Sequence, residues 1–155
     1  MYFQKRSYWC GPASTQIALR ILGRSVSQSK LAELMNTTED AGTDEYGIIK
    51  ALSDLNCNFD ELRFDHSGLA KKQLATLSTG WPIILCVDQW THWVCLAGGC
   101  GERYFMFDPA REHLNKKTNG VQALTLKRLM ERWRTAKHVR EGGPTYYGIA
   151  LLCAP

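Results

Sequence analysis

The sequence predicts an α+β fold in which helices come first and an antiparallel sheet follows. Three observations carry this reading. Apolar residues recur at helical spacing through the first third of the chain. Continuous apolar runs with β-branched or aromatic content then fill 82–87, 92–97 and 103–107. The connection from 87 to 92 is so short that its two runs form a hairpin.

Taken in order, Cys10-Gly11-Pro12 opens the first helix, since the fixed φ of Pro12 suits a first turn. Ile17, Ala18, Ile21 and Leu22 form its apolar stripe, and Gly23 closes it. Ser27 caps a second helix carrying Leu31, Leu34 and Met35, and Thr43 caps a third carrying Ile48, Ile49, Leu52 and Leu55. A short helix over 68–77 turns Leu69, Leu74 and Leu77 inward. Pro82 to Val87 is a buried strand and His92 to Ala97 a second, with Gly98, Gly99 and Gly101 making the turn after it. Arg103 to Phe107 is a third, ending at Asp108-Pro109. A helix over 126–133 and a last strand from Tyr146 to Cys153 complete the chain. With 155 residues and no repeat, low-complexity tract or linker, residues 1–155 read as one domain.

Composition narrows the function. Hydrophobic residues at 45% and charged residues at 22% are globular proportions. The net charge of +4 is mild, and no basic stripe is interleaved with aromatics, so a nucleic-acid partner is not expected. The six cysteines, at 10, 57, 86, 95, 100 and 153, form no CxxC pair, so neither a metal nor another cofactor is expected. Cys86 and Cys95 read as core, and His66, His113 and His138 as surface. The first six residues lack the apolar run of a signal peptide, and no stretch is long enough to span a bilayer. A cytoplasmic protein with reduced thiols follows, although export without a signal leaves no mark on a sequence. Oligomeric state is left open.

The chemistry gathers on four residues. Cys10 lies at a helix start, where backbone N–H groups and the dipole favour a thiolate, the reactive form. A cysteine nucleophile needs a base, and His92, opening a strand after a loop, can reach across a cleft. The far nitrogen of the imidazole needs an acceptor, and Asp108 ends the strand antiparallel to that of His92, which makes the two neighbours. Asp88, at the tip of the hairpin, competes for this role; a neighbouring strand end offers the better direction. Gln4, six residues before Cys10, supplies a side-chain amide that can hold an oxyanion together with the Cys10 N–H. Taken singly, each has an ordinary structural role. Trp90 and Trp93 flank His92 and either shield it from water or pack the core. Glu39, Asp40, Asp44 and Glu45 line a cleft or form a solvated loop.

Gln4, Tyr8-Trp9-Cys10-Gly11-Pro12-Ala13, Thr91-His92-Trp93-Val94 and Phe107-Asp108-Pro109 resemble, in order and spacing, the papain-like cysteine peptidases. Within that superfamily the chain is most similar to the bacteriocin-processing peptidases that cut after a double glycine, and to their stand-alone relatives. Ala41-Gly42-Thr43 and the stretch 129–133 fit more loosely, and Trp9 stands where the double-glycine enzymes usually carry Asp. The resemblance implies a papain-like fold, a catalytic triad of Cys10, His92 and Asp108 aided by Gln4, and a protein or peptide substrate cut through a thioester at Cys10. Two alternatives use the same residues: a deamidase or transamidase acting on protein Gln, and a catalytically idle domain that binds a peptide.

Overall fold

A computed structural model describes residues 3–100, 102–110, 120–134 and 144–152. Helix α1 (Cys10–Ile21) buries Ala13, Ile17, Ala18 and Leu19 and closes where Gly23 takes a φ of +76°. Helix α2 (Gln28–Leu34) is capped as expected, the Ser27 hydroxyl accepting from Lys30 N. Helix α3 (Glu45–Asp54) is capped by Asp44, whose Oδ1 accepts from Gly47 N at 2.8 Å, and not by Thr43. The Thr43 hydroxyl lies instead 2.8 Å from that of Thr37, which removes it from the helix end.

Helix α4 (Ser67–Leu77) turns Ala70 and Leu74 inward, whereas Leu69 is 56% exposed, contrary to the expectation. One residue is about 100° of helix, so a stripe centred on Ala70 and Leu74 leaves Leu69 outside it. Helix α5 (Leu126–Trp133) begins at the Thr125 cap and buries Leu129, Met130 and Trp133.

Among the described residues, six strands form one antiparallel sheet. They are β1 (Asn58–Phe64), β2 (Ile83–Val87), β3 (His92–Cys100), β4 (Arg103–Phe107), β5 (Val121–Thr125) and β6 (Tyr146–Leu152), in the order β1-β6-β2-β3-β4-β5. Cys153, at the expected end of the last strand, lies outside the described residues. Gly98 and Gly99 stay in β3, paired with Phe105 and Tyr104 past a bulge, rather than turning the chain. The bulge lets Gly99 N reach Ser78 O at 2.9 Å, an approach that a side chain would crowd. The edge strands β1 and β5 went unforeseen, because a half-solvated edge reads as polar.

Alternate residues of the sheet face opposite cores. Ile84, Cys86, Trp93, Cys95, Tyr147 and Ile149 pack with α1, α2 and α3. Ile83, Leu85, Val94, Leu96, Tyr104 and Met106 pack with α4 and α5. Among the described residues no helix is long and apolar enough to cross a membrane. The N-terminal helices therefore cover one face of the sheet, α4 and α5 cover the other, and the connections at one end of β2, β3 and β4 hold the candidate site.

Candidate active site

The β2–β3 hairpin turns through Asp88, Gln89 and Trp90, all left-handed with φ of 52°, 66° and 67°. Such backbone costs roughly 1–2 kcal/mol per non-glycine residue, so other contacts must hold it. Thr91 Oγ1 donates to Asp88 O at 2.5 Å. Trp90 stacks on Tyr147 with ring centroids 5.0 Å apart. Asp88 N donates to Arg132 O at 3.0 Å, and the Arg132 guanidinium grips the Asp88 carboxylate with two donors, Nε lying 3.1 Å from Oδ1. The turn delivers His92 as the first residue of β3, paired with Val87.

Asp108 follows the last paired residue of β4 and has a fully buried side chain. A buried carboxylate is costly unless its oxygens are satisfied. Here Oδ1 accepts from His92 Nε2 at 2.8 Å and from Ala110 N at 3.1 Å, and Oδ2 accepts from Arg132 Nη2 at 3.2 Å. The other candidate, Asp88, belongs to Arg132.

The His92 side chain is only 12% exposed. Burial by itself pulls its pKa down. Hydrogen bonds to Asp108 and to Cys10, with the charges of both, outweigh burial and raise it from 6.5 to about 9. Because Nε2 is committed to Asp108, Nδ1 is the nitrogen that can serve Cys10.

Cys10 is the first residue of α1 and is half-buried. One turn further, Ser14 Oγ donates to Trp93 O at 2.9 Å, which fastens the helix to the strand that begins with His92. Trp93 in turn donates from Nε1 to Thr43 O at 2.8 Å. Thr43 lies against Gly11, where a Cβ would come within 2.7 Å of the Thr43 Cβ. Glycine beside Cys10 thus lets the segment before α3 close on the helix start, a packing reason in addition to substrate access.

Gln4 is buried and anchored to the Asp108-Pro109 turn, its N donating to Pro109 O at 3.0 Å. Its Nε2 donates to Ser7 O at 2.6 Å, which leaves the second amide hydrogen uncommitted by that bond. Its Oε1 is buried and has no hydrogen-bond partner among the described residues. Gln28 clasps the segment on both sides of Gln4, accepting from Lys5 N at 3.0 Å and donating to Phe3 O at 2.9 Å.

The structure thus bonds His92 to Asp108, sets Cys10 close enough to act on the imidazole, and ties Gln4 to the same strand end. Sequence reasoning missed Ser14, Gln28 and Arg132. Ser14 and Gln28 carry no local signal. Arg132 offered one, a cation beside Trp133 at the end of a short helix. Of the acidic stretch, Glu39 and Asp40 are exposed, Asp44 caps α3 and Glu45 is buried. Cys86 and Cys95 are buried, and His66 is exposed; His113 and His138 lie outside the described residues. Among the described residues, no group of three or more His, Cys, Asp or Glu side chains is placed to hold a metal ion.

Residues 1–141 match the Peptidase_C39 like family, and the chain belongs to that family. Two uncharacterized proteins, from Methanothermobacter thermautotrophicus and Methanothermobacter marburgensis, are 32% identical over 90 residues and 35% identical over 89. The matches take in 56% and 55% of this chain and span 63% and 62% of the relatives' lengths, less than two thirds of each. Among solved structures, the fold is similar to the peptidase domain of Streptococcus ComA, a bifunctional ABC transporter in a quorum-sensing pathway. That match has a TM-score of 0.70 at 19% identity, over 99% of this chain and 100% of the other. A double-glycine-motif protease from an AMS/PCAT transporter, solved with its leader peptide, gives 0.68 at 17% identity, over 96% and 88%. The peptidase domain of Streptococcus mutans ComA gives 0.61 at 20%, over 100% and 98%. The fold is that of a papain-like cysteine peptidase domain.

Proposed function

We propose that this protein is a cysteine peptidase in which Cys10 is the nucleophile, His92 the acid and base, and Asp108 the group that orients His92. The observation that carries the reading is the committed His92 ring. Asp108 occupies Nε2, the other nitrogen serves Cys10, and the pair raises the imidazole pKa to about 9. A cationic imidazole beside a cysteine favours the nucleophilic form of the sulfur.

The sulfur adds to the carbonyl carbon of the scissile bond. Gln4 Nε2–H and the Cys10 N–H receive the oxyanion. His92 gives its proton to the leaving amine, which departs and leaves a thioester on Cys10. A water, deprotonated by His92, then attacks the thioester and frees the second product. The substrate is an extended peptide with small residues at the cut, since the double-glycine protease that shares this fold was solved with a leader peptide.

Incubation with a proteome-derived peptide library, read by mass spectrometry, tests this. The expected result is new termini at small residues that the Cys10→Ala chain does not produce. Gln-to-Glu conversion without new termini would reassign the chain to deamidation, and no Cys10-dependent change would reduce it to a binding domain.

A further inference from the structure

The Arg132 guanidinium bonds two carboxylates that belong to different parts of the site. Nη2 reaches Asp108 Oδ2 at 3.2 Å, on the oxygen that His92 does not use. Nε and Nη2 hold both oxygens of Asp88 at the hairpin tip, and Nη1 lies 3.4 Å from Gln122 Oε1. The carbonyl of the same residue accepts from Asp88 N. Arg132 is therefore fastened to the turn that precedes His92 by backbone and side chain alike. Its side chain is 16% exposed and that of Asp108 fully buried, so this pair meets largely out of water, while Asp88 is 36% exposed.

We propose that Arg132 is a positioning residue of the peptidase site, holding Asp108 as a carboxylate aimed at His92 and locking the left-handed turn that delivers His92. This rests on the peptidase reading only for its kinetic consequence. The electrostatic part stands on the bonds themselves.

Charged groups that bond Asp108 among the described residues include His92 from β3 and Arg132 from α5, with Cys10 on the other side of the imidazole and Asp88 on the other side of the guanidinium. Without Arg132, the Asp108 carboxylate loses one of its cationic partners and is left near a second carboxylate, and both changes favour its protonation. Only an arginine fork can serve Asp88 with two donors and still reach Asp108; lysine keeps the charge and loses the geometry.

The test follows the side-chain carboxyl carbon of Asp108 by NMR against pH, in the intact chain and in R132M, R132K and R132M/D88N. In R132M, Asp108 is expected to titrate at least about one unit higher, with R132K between R132M and the parent. R132M/D88N should move part of the way back, since it removes the opposing carboxylate. On any cleaved peptide, R132M should lower kcat about tenfold or more with little change in KM. If R132M does not fold, R132K and the single variant D88N decide the matter: R132K should raise the Asp108 titration and D88N lower it, whereas a merely loosened core would move both the same way. An Asp108 titration unmoved in every folded variant overturns the proposal. If Asp108 shifts as stated while no variant, the parent included, cleaves a peptide, the peptidase reading fails and the electrostatic role of Arg132 stands.

Discussion

Asp108 meets His92 through the same oxygen that accepts the backbone N–H of Ala110, so two donors aim one lone-pair-rich atom at Nε2. An asparagine whose amide oxygen takes that place keeps both bonds and turns its NH2 toward Arg132, donor against donor. D108N should therefore fold and lose about 10²–10³ in kcat/KM, less than the roughly 10⁴ of the equivalent change in serine enzymes. D108A should lose more, having no acceptor at all. D88A should cost less than either, because the partner it strands, Arg132, retains Asp108. Steady-state kinetics of the three variants check the ranking; a D88A enzyme weaker than D108A would move the orienting role to Asp88.

Gly11 is under steric pressure from Thr43, with the Thr43 Cβ, Oγ1 and Cγ2 at 2.7, 2.8 and 3.0 Å from where a Cβ would stand. G11A should destabilise the fold by about 1–3 kcal/mol, the usual cost of overpacking. T43G in the same chain should recover part of that, so the pair is non-additive in denaturant unfolding. Equal losses for G11A alone and with T43G would mean that Thr43 is not what excludes the side chain.

The His92 pKa, raised from 6.5 to about 9, makes stability depend on pH with a definite sign. A folded pKa above the unfolded one stabilises the charged form, so the contribution is full below about pH 6.5 and disappears as pH rises through about 9. Its size is on the order of 3 kcal/mol at most, since the imidazole is coupled to Cys10. Urea unfolding from pH 6 to 10 should show the decline, and H92Q should flatten it. A parent curve rising over that range would contradict the imidazolium.

Gln4 is expected to act on the oxyanion through the amide hydrogen that Ser7 O does not take. Q4A should lower kcat by roughly 10²–10³ and leave Cys10 alkylation unchanged, because alkylation forms no oxyanion. Full activity in Q4A would remove Gln4 from the mechanism.

Much of this site was legible because its residues sit at element ends that the sequence marks. His92 and Asp108 bound apolar runs, and an antiparallel pair must bring such ends together. Cys10 stands before Pro12, which starts a helix almost without regard to context. The losses have equally local causes. Asn58 to Phe64 alternates Asp60, Glu61 and Arg63 with few apolar residues, since an edge strand needs only one buried side, and Leu62 is its one fully buried residue. Gly98-Gly99 signals a turn in sequence, yet a bulge uses the same freedom to bring Gly99 N to Ser78 O. Leu69 was placed inward on hydrophobicity, where the smaller Ala70 is the residue that fits. Arg132 carries only a faint signal, a cation beside Trp133 at a helix end, because an ion bridge has no periodicity and its two carboxylates, Asp88 and Asp108, are far from it in sequence.

If His92 activates Cys10 for attack, limiting iodoacetamide at about pH 6 followed by peptide mapping will find Cys10 to be the most reactive thiol. Ordinary thiols are almost wholly protonated at that pH and react slowly. Cys100 is exposed and Cys57 half-buried, so both serve as internal controls for access. Burial, only partly offset by Arg24, pushes the Cys57 thiol up, which makes it the slower control. Cys10 should be modified first, and H92A should abolish its advantage. Preferential labelling of Cys57 or Cys100, or a Cys10 rate that H92A leaves untouched, would contradict it.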